Sequence, residues 1–213
     1  MEFTRLLEIV GDEPVFETGL LLAGDVAPSH VRRQLSRWVE AGRIYQLRRG
    51  LYALAPPFQR VKPHPFVVAN RLARGSYVSL QAALAHYGAI PETAPVVTSV
   101  TTGRPGRWRT PLGSHEYRHV KAGLFFGYSY AEVSPGQHAF IASPEKALLD
   151  LVHLHPGGDD AAYLRELRLQ NLERLDLDAL LHLAAQAASP KLQRAAQIVA
   201  RLAHAEAQEF EDL

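Results

Sequence analysis

Four prolines crowd one stretch of the chain, "ALAPPFQRVKPHPF" at residues 53–66, where Pro56, Pro57, Pro63 and Pro65 fall close together. Proline fixes φ and has no backbone N–H, so neither a helix nor a central strand can run through such a segment. The stretch therefore predicts an extended connection and divides the 213-residue chain. The expected organisation is a domain over residues 1–57, a linker over 58–65 and a larger domain over 66–213. A unit of about 57 residues lies near the lower limit for independent folding, which small helical modules reach.

Hydrophobic patterning within the first unit predicts helix, short helix, turn, helix and hairpin. The first helix spans residues 2–10, with Phe3, Leu6, Leu7 and Val10 on one face. A short second helix covers residues 18–22, and Gly24-Asp25 breaks the chain after it. The third helix, residues 30–41, has Ser29 as its expected N-cap and Gly42 as its stop. Two strands, residues 44–47 and 51–54, flank the turn Arg48-Arg49-Gly50. This order predicts a winged helix-turn-helix.

The third helix carries two stripes. Val31, Leu35, Trp38 and Val39 recur at spacings that place them on one apolar face. His30, Arg33, Gln34 and Arg37 recur at i, i+3, i+4 and i+7 and form a polar face, with Arg32 and Ser36 on the flank. Arginine can pair with guanine through two hydrogen bonds and glutamine with adenine, so the polar stripe suits a DNA major groove. The same composition also suits a plain solvated face. The preceding short helix and the basic hairpin favour the DNA reading. Candidate DNA-contacting residues are therefore Ser29, His30, Arg32, Arg33, Gln34 and Arg37 on the helix, with Arg48 and Arg49 on the wing.

Charge is unevenly spread along the chain. The net charge is +1, but residues 26–121 hold fifteen Lys+Arg against three acids, whereas residues 122–213 hold seven against thirteen. A basic block of this kind attracts polyanions. The absence of cysteine excludes disulfides, thiolate metal sites and cysteine nucleophiles, and fits a reducing compartment. No apolar run approaches the roughly 20 residues that span a bilayer. The N-terminus lacks the basic-then-apolar order of a secretory signal. The expected location is the cytoplasm, with no membrane partner.

The second unit reads as mixed α+β. Helices are predicted over residues 65–73, 79–88, 144–154, 161–167, 177–187 and 190–207, and strands over 96–103, 116–120, 124–130 and 138–141. Ser79 and Ser143 are the expected caps of two of these helices. The fold class predicted for the whole chain is α+β, a winged helix-turn-helix followed by a larger mixed domain with a helical tail. The stretch "TTGRPGRWRTPLG" at residues 101–113 reads as a Gly/Pro-rich loop. Its Arg104, Arg107 and Arg109, with Trp108 between two of them, suit DNA backbone contact, an acidic protein partner or plain solvation.

A search for catalytic chemistry finds no phosphate loop, serine elbow or His-Glu-x-x-His motif. His153-x-His155 lacks a carboxylate at ligand spacing, so no metal is expected there. Glu145 and Lys146 read as a solvated helix start. Asp150, in an otherwise apolar helix, reads as a buried hydrogen-bonding group. The expectation is a protein without catalytic residues or cofactor.

Four segments, "RRQLSRWVEAGRIYQLRRGLYAL", "YVSLQAALAHYGAIPE", "VTSVTTGRP" and "FIASPEKALLDL", resemble in order and spacing the AbiEi-type antitoxins of type IV toxin–antitoxin systems. The resemblance covers residues 16–154. It implies an N-terminal domain that binds inverted repeats in double-stranded promoter DNA and represses its own operon. It also implies a C-terminal domain that counteracts a nucleotidyltransferase-like toxin without requiring a stable complex. By position, Arg32, Arg33, Gln34 and Arg37 correspond to the recognition helix, and Arg48 and Arg49 to the wing.

Overall fold

The structure, a computed structural model, describes residues 1–22, 27–91 and 94–211, with side chains through residue 205. It is mixed α+β and built on two sheets. The first 57 residues give α1 (Phe3–Val10), β1 (Phe16–Glu17), a 3-10 helix (Thr18–Leu22), α2 (Pro28–Glu40), β2 (Ile44–Arg48) and β3 (Leu51–Leu54). The expected Gly24-Asp25 break lies outside the described residues. β1 adds to the hairpin to make an antiparallel sheet of order β1-β3-β2. At two residues, β1 is too short for the alternation of a strand to show in sequence.

α2 begins earlier than its sequence suggests. Pro28 occupies the first turn, where its missing N–H costs nothing and its φ is already helical. The N-cap is Ala27, with no side-chain cap, so Ser29 lies inside the first turn and is not the cap. Gly50 has φ 82°, the left-handed value that the hairpin turn requires.

A small core joins Leu6, Val10, Phe16, Leu21, Val31, Leu35, Trp38, Ile44, Tyr52 and Leu54. Phe3 closes it edge-on against Trp38 and Phe58. The hairpin has a second allegiance, because Leu47, Leu51 and Ala53 pack into the larger core of the rest of the chain. Residues 58–65 are likewise tied down. Gln137 accepts a hydrogen bond from the His64 amide (2.8 Å) and donates to the Lys62 carbonyl (3.0 Å), and Pro63 is buried.

The larger part comprises α3 (Pro65–Leu72), β4 (Ser76–Val78), α4 (Leu80–His86), β5 (Val96–Thr101), β6 (Gly106–Thr110), β7 (Gly113–His119), β8 (Tyr128–Ser134), β9 (Gln137–Ala142), α5 (Pro144–Leu154), α6 (Ala161–Glu166), α7 (Leu177–Gln186) and α8 (Pro190–Glu211). Its six strands order as β6-β7-β5-β4-β9-β8. The pairs β4–β9 and β5–β7 are parallel and the others antiparallel. Two expectations change here. β8 starts at Tyr128, after a 3-10 turn at Ala122–Leu124, rather than at residue 124. The segment read as a loop contains the strand β6, which pairs with β7 from Gly106 to Thr110. Pro105 and Pro111 flank the strand, and a lone edge strand between prolines has the composition of a loop.

Candidate nucleic-acid interface

α2 sorts its side chains as the two-stripe pattern requires. Val31, Leu35 and Trp38 are buried against the small core. Ser29, His30, Arg32, Arg33 and Arg37 are exposed, and Gln34 is half-buried. Each of these large buried side chains contributes about 1.5–3 kcal/mol. None of the three α2 arginines meets a carboxylate in any ion pair of the described residues. Their charge is held in place by the helix.

The hairpin treats its two arginines differently. Arg49 is exposed. Arg48 is half-buried and donates to the Arg71 carbonyl at the end of α3 and to the Arg49 carbonyl, both at 3.3 Å. Nearby, Arg74 pairs with Glu17 of β1, which holds the Glu17 carboxyl below its usual range. The tip thus rests against the second unit, and Arg48, Arg71 and Arg74 gather where the two meet. A sequence reading of the hairpin alone has no access to this, since Arg71 lies 23 residues away.

Arg104 precedes β6 in an exposed loop, while Arg107, Trp108 and Arg109 project from the strand itself. Trp108 is 39% exposed. Glu116 of β7 takes Arg107 on one oxygen (3.0 Å) and Arg118 on the other (3.2 Å). This triad stands at the rim of a cleft of about 590 Å3 between β5–β7 and the helices, floored by Leu80, Ile90, Leu151 and Leu167. The α2 arginines and the β6 arginines are therefore separate groups on separate elements.

The charged residues of α5 are not solvated, contrary to the sequence expectation for Glu145 and Lys146. Both are buried, and Lys146 forms an ion pair with Asp150 one turn later. Asp150 also accepts from Tyr77 Oη (2.9 Å) and Ser79 Oγ (2.8 Å), which meets the expectation of a buried hydrogen-bonding carboxylate. Ser79 therefore uses its hydroxyl on Asp150 and does not cap α4. Burial drives the Asp150 carboxyl up, opposed by Lys146, Ser79 and Tyr77. Gly127, at φ 71°, leaves room for the Lys146 stem, which a Cβ there would meet at 2.9 Å. Glu145 accepts the Asp176 amide at 3.0 Å and so ties α5 to the start of α7. All three polar atoms of the ion pair are engaged within the fold.

His153 and His155 do not converge: His155 stacks flat on Tyr163 at 4.0 Å, and burial lowers the His153 pKa. His115, on β7, is buried with both ring nitrogens unpartnered, and its pKa is pushed down to about 4.

Comparison with solved structures finds a likeness of fold. The crystal structure of RV2827C protein from Mycobacterium tuberculosis superposes with a TM-score of 0.51 at 17% identity, over 92% of this chain and 75% of that one. At that identity the likeness is one of fold. No protein-family model matches the chain, and no curated protein matches it. No helix among the described residues is long and apolar enough to cross a membrane.

Proposed function

We propose that the chain is a cytoplasmic, DNA-binding transcriptional regulator that reads double-stranded DNA with α2, its first 57 residues acting as a winged helix-turn-helix. The observation that carries this reading is the division of α2 into a buried face of Val31, Leu35 and Trp38 and an outward face of unpaired arginines. Arg32, Arg33 and Arg37, with His30 and Gln34, would meet base edges, and Arg49 would reach the phosphates. The exposed Ser29 hydroxyl and first-turn amides of α2 suit a phosphate as well. Arg48 would act from behind, holding the hairpin tip in place.

The ordered likeness to AbiEi-type antitoxins extends the proposal. The operator would be inverted repeats in the chain's own promoter, and the functional partner a nucleotidyltransferase-like toxin. We assign no catalytic residue, cofactor or metal. A promoter–reporter fusion in cells tests the repressor half: the full chain is expected to repress, and Arg33→Ala/Arg37→Ala to release repression at equal protein level. Repression by that variant equal to the parent's would sink the assignment of α2. The same variant, co-expressed with a nucleotidyltransferase-like toxin, tests the other half, because rescue should persist when repression is lost. Failure of both proteins to rescue would leave a plain repressor.

Exposed Trp108 on an edge strand, between Arg107 and Arg109, favours a second reading: a module that docks an acidic protein partner. A stable complex with a co-expressed partner, lost in Trp108→Ala, would support it.

A further inference from the structure

Beyond α2, the surface carries a second feature with the chemistry of nucleic-acid recognition. It begins in the core, where Tyr77 stacks on Tyr128 at 4.5 Å between ring centroids and 13° between planes. Tyr128 meets Phe140 edge-on at 6.1 Å, Phe140 meets Tyr130 at 4.9 Å, and Tyr130 stacks on His138 at 5.3 Å and 26°. Tyr130 and Phe140 are direct cross-strand partners of β8 and β9. Tyr128 and His138 stand two residues from them, so strand alternation puts all four on one face. The inner end of this run is covered. The outer end is open, with Tyr130 63% and Phe140 43% exposed.

Scattered apolar side chains on a surface need no explanation, but stacked ones leave a contiguous patch that does. The surroundings of this patch are cationic and polar. Tyr130, His138 and Phe140 line a cleft of about 540 Å3 together with Asn70, Arg71 and Arg74. Arg71 is exposed and joins no ion pair among the described residues, whereas Arg74 shares Glu17. Glu13 is the acid in the lining. The platform is also held in shape. Asn70 accepts from the Phe140 amide at 2.6 Å and donates to the Phe140 and Ser76 carbonyls, taking over as partner where β4 ends. Rings fixed before binding lose little freedom when a ligand arrives.

We propose that Tyr130, His138 and Phe140, flanked by Arg71 and Arg74, form a binding surface for single-stranded nucleic acid, distinct from the duplex-reading face of α2. Exposed rings accept bases that are free to unstack, which a double helix does not offer, and the guanidinium groups beside them match the phosphates between those bases. The cleft lining sets Arg71 and Arg74 against one acid, Glu13, a charge balance that complements a polyanion. The inference stands apart from the repressor reading, since neither needs the other.

Fluorescence anisotropy of the full-length chain on labelled ten-nucleotide rU and dT oligomers tests it. Saturable binding is expected, weakened about tenfold or more by Tyr130→Ala/Phe140→Ala and largely retained by Tyr130→Phe. Arg71→Ala should reduce the salt dependence by about 0.7 in the slope of log K against log salt. Arg33→Ala/Arg37→Ala should leave the affinity for these oligomers unchanged. Absence of binding to both oligomers overturns the proposal. So does affinity unaffected by loss of both rings, in protein whose circular dichroism and melting match the parent's. Binding that disappears with Arg33 and Arg37 while the rings remain would assign single strands to α2 and overturn it equally.

Discussion

Helices α2 and α5 both open with proline in the first turn and both carry cations, yet they use them in opposite ways. α2 buries three of its thirteen residues and keeps three arginines outside. α5 buries eight of its eleven, and Lys146 and Asp150 among them are each about 2% exposed. The difference lies in what surrounds each charge. Lys146 has Asp150 as its counter-ion and the rings of Tyr77 and Phe126 around it. The α2 arginines are exposed and meet no carboxylate among the described residues. A buried charge must be answered from within the fold, whereas an outward, unanswered one is available to a ligand. This contrast, rather than the number of cations, is what supports the proposal that α2 meets DNA.

The contrast breaks most visibly at Asp150. Asp150→Ala strands Lys146 in the core and should cost about 3–5 kcal/mol in denaturant unfolding. Replacing both, as Lys146→Met/Asp150→Leu, should recover much of that loss. A cost below about 1 kcal/mol for Asp150→Ala would mean that α5 is solvated as α2 is.

The histidines extend the comparison. His115 is buried without partners, so its neutral form is favoured and its pKa falls from 6.5 to about 4. The unfolded chain therefore binds a proton that the native protein refuses. Stability is expected to be full above about pH 6.5 and to fall as pH drops toward 4, by roughly 1–3 kcal/mol from this group. The difference in melting between the parent and His115→Leu across that window isolates it. A difference that stays constant across that window would contradict the burial argument.

The hairpin sharpens the comparison at smaller scale. Arg48→Ala removes a charged donor from the Arg71 carbonyl and should cost about 1 kcal/mol. Arg49→Ala should stay within about 0.5 kcal/mol and instead lower the salt slope of duplex binding by about 1. Equal effects of the two on stability would remove the distinction between the anchoring and the free arginine.

These contrasts also mark how far sequence reaches. The stripes of α2 were legible because helix periodicity is local, and the Ser143-Pro144 start of α5 was legible for the same reason: Ser143 accepts the Lys146 amide. Strand β4 was not legible. Three residues between helices show no alternation, and β4 is identified only by its partners β5 and β9. The burial of Lys146 depends on Phe126 and on the close approach at Gly127, which α5 itself does not encode. Arg48 appeared free because its acceptor belongs to α3. The aromatic face was within reach, since "YSY" and "HAF" alternate with the right parity, but which face lies open depends on where α5 packs.

The central proposal, that α2 reads duplex DNA, is tested most directly by anisotropy on a labelled duplex of the chain's own promoter. Arg33→Ala/Arg37→Ala should melt within about 0.5 kcal/mol of the parent. It should also bind that duplex about tenfold or more weakly, with reduced preference over scrambled sequence. A variant equally stable and equally tight on the same duplex would contradict the account.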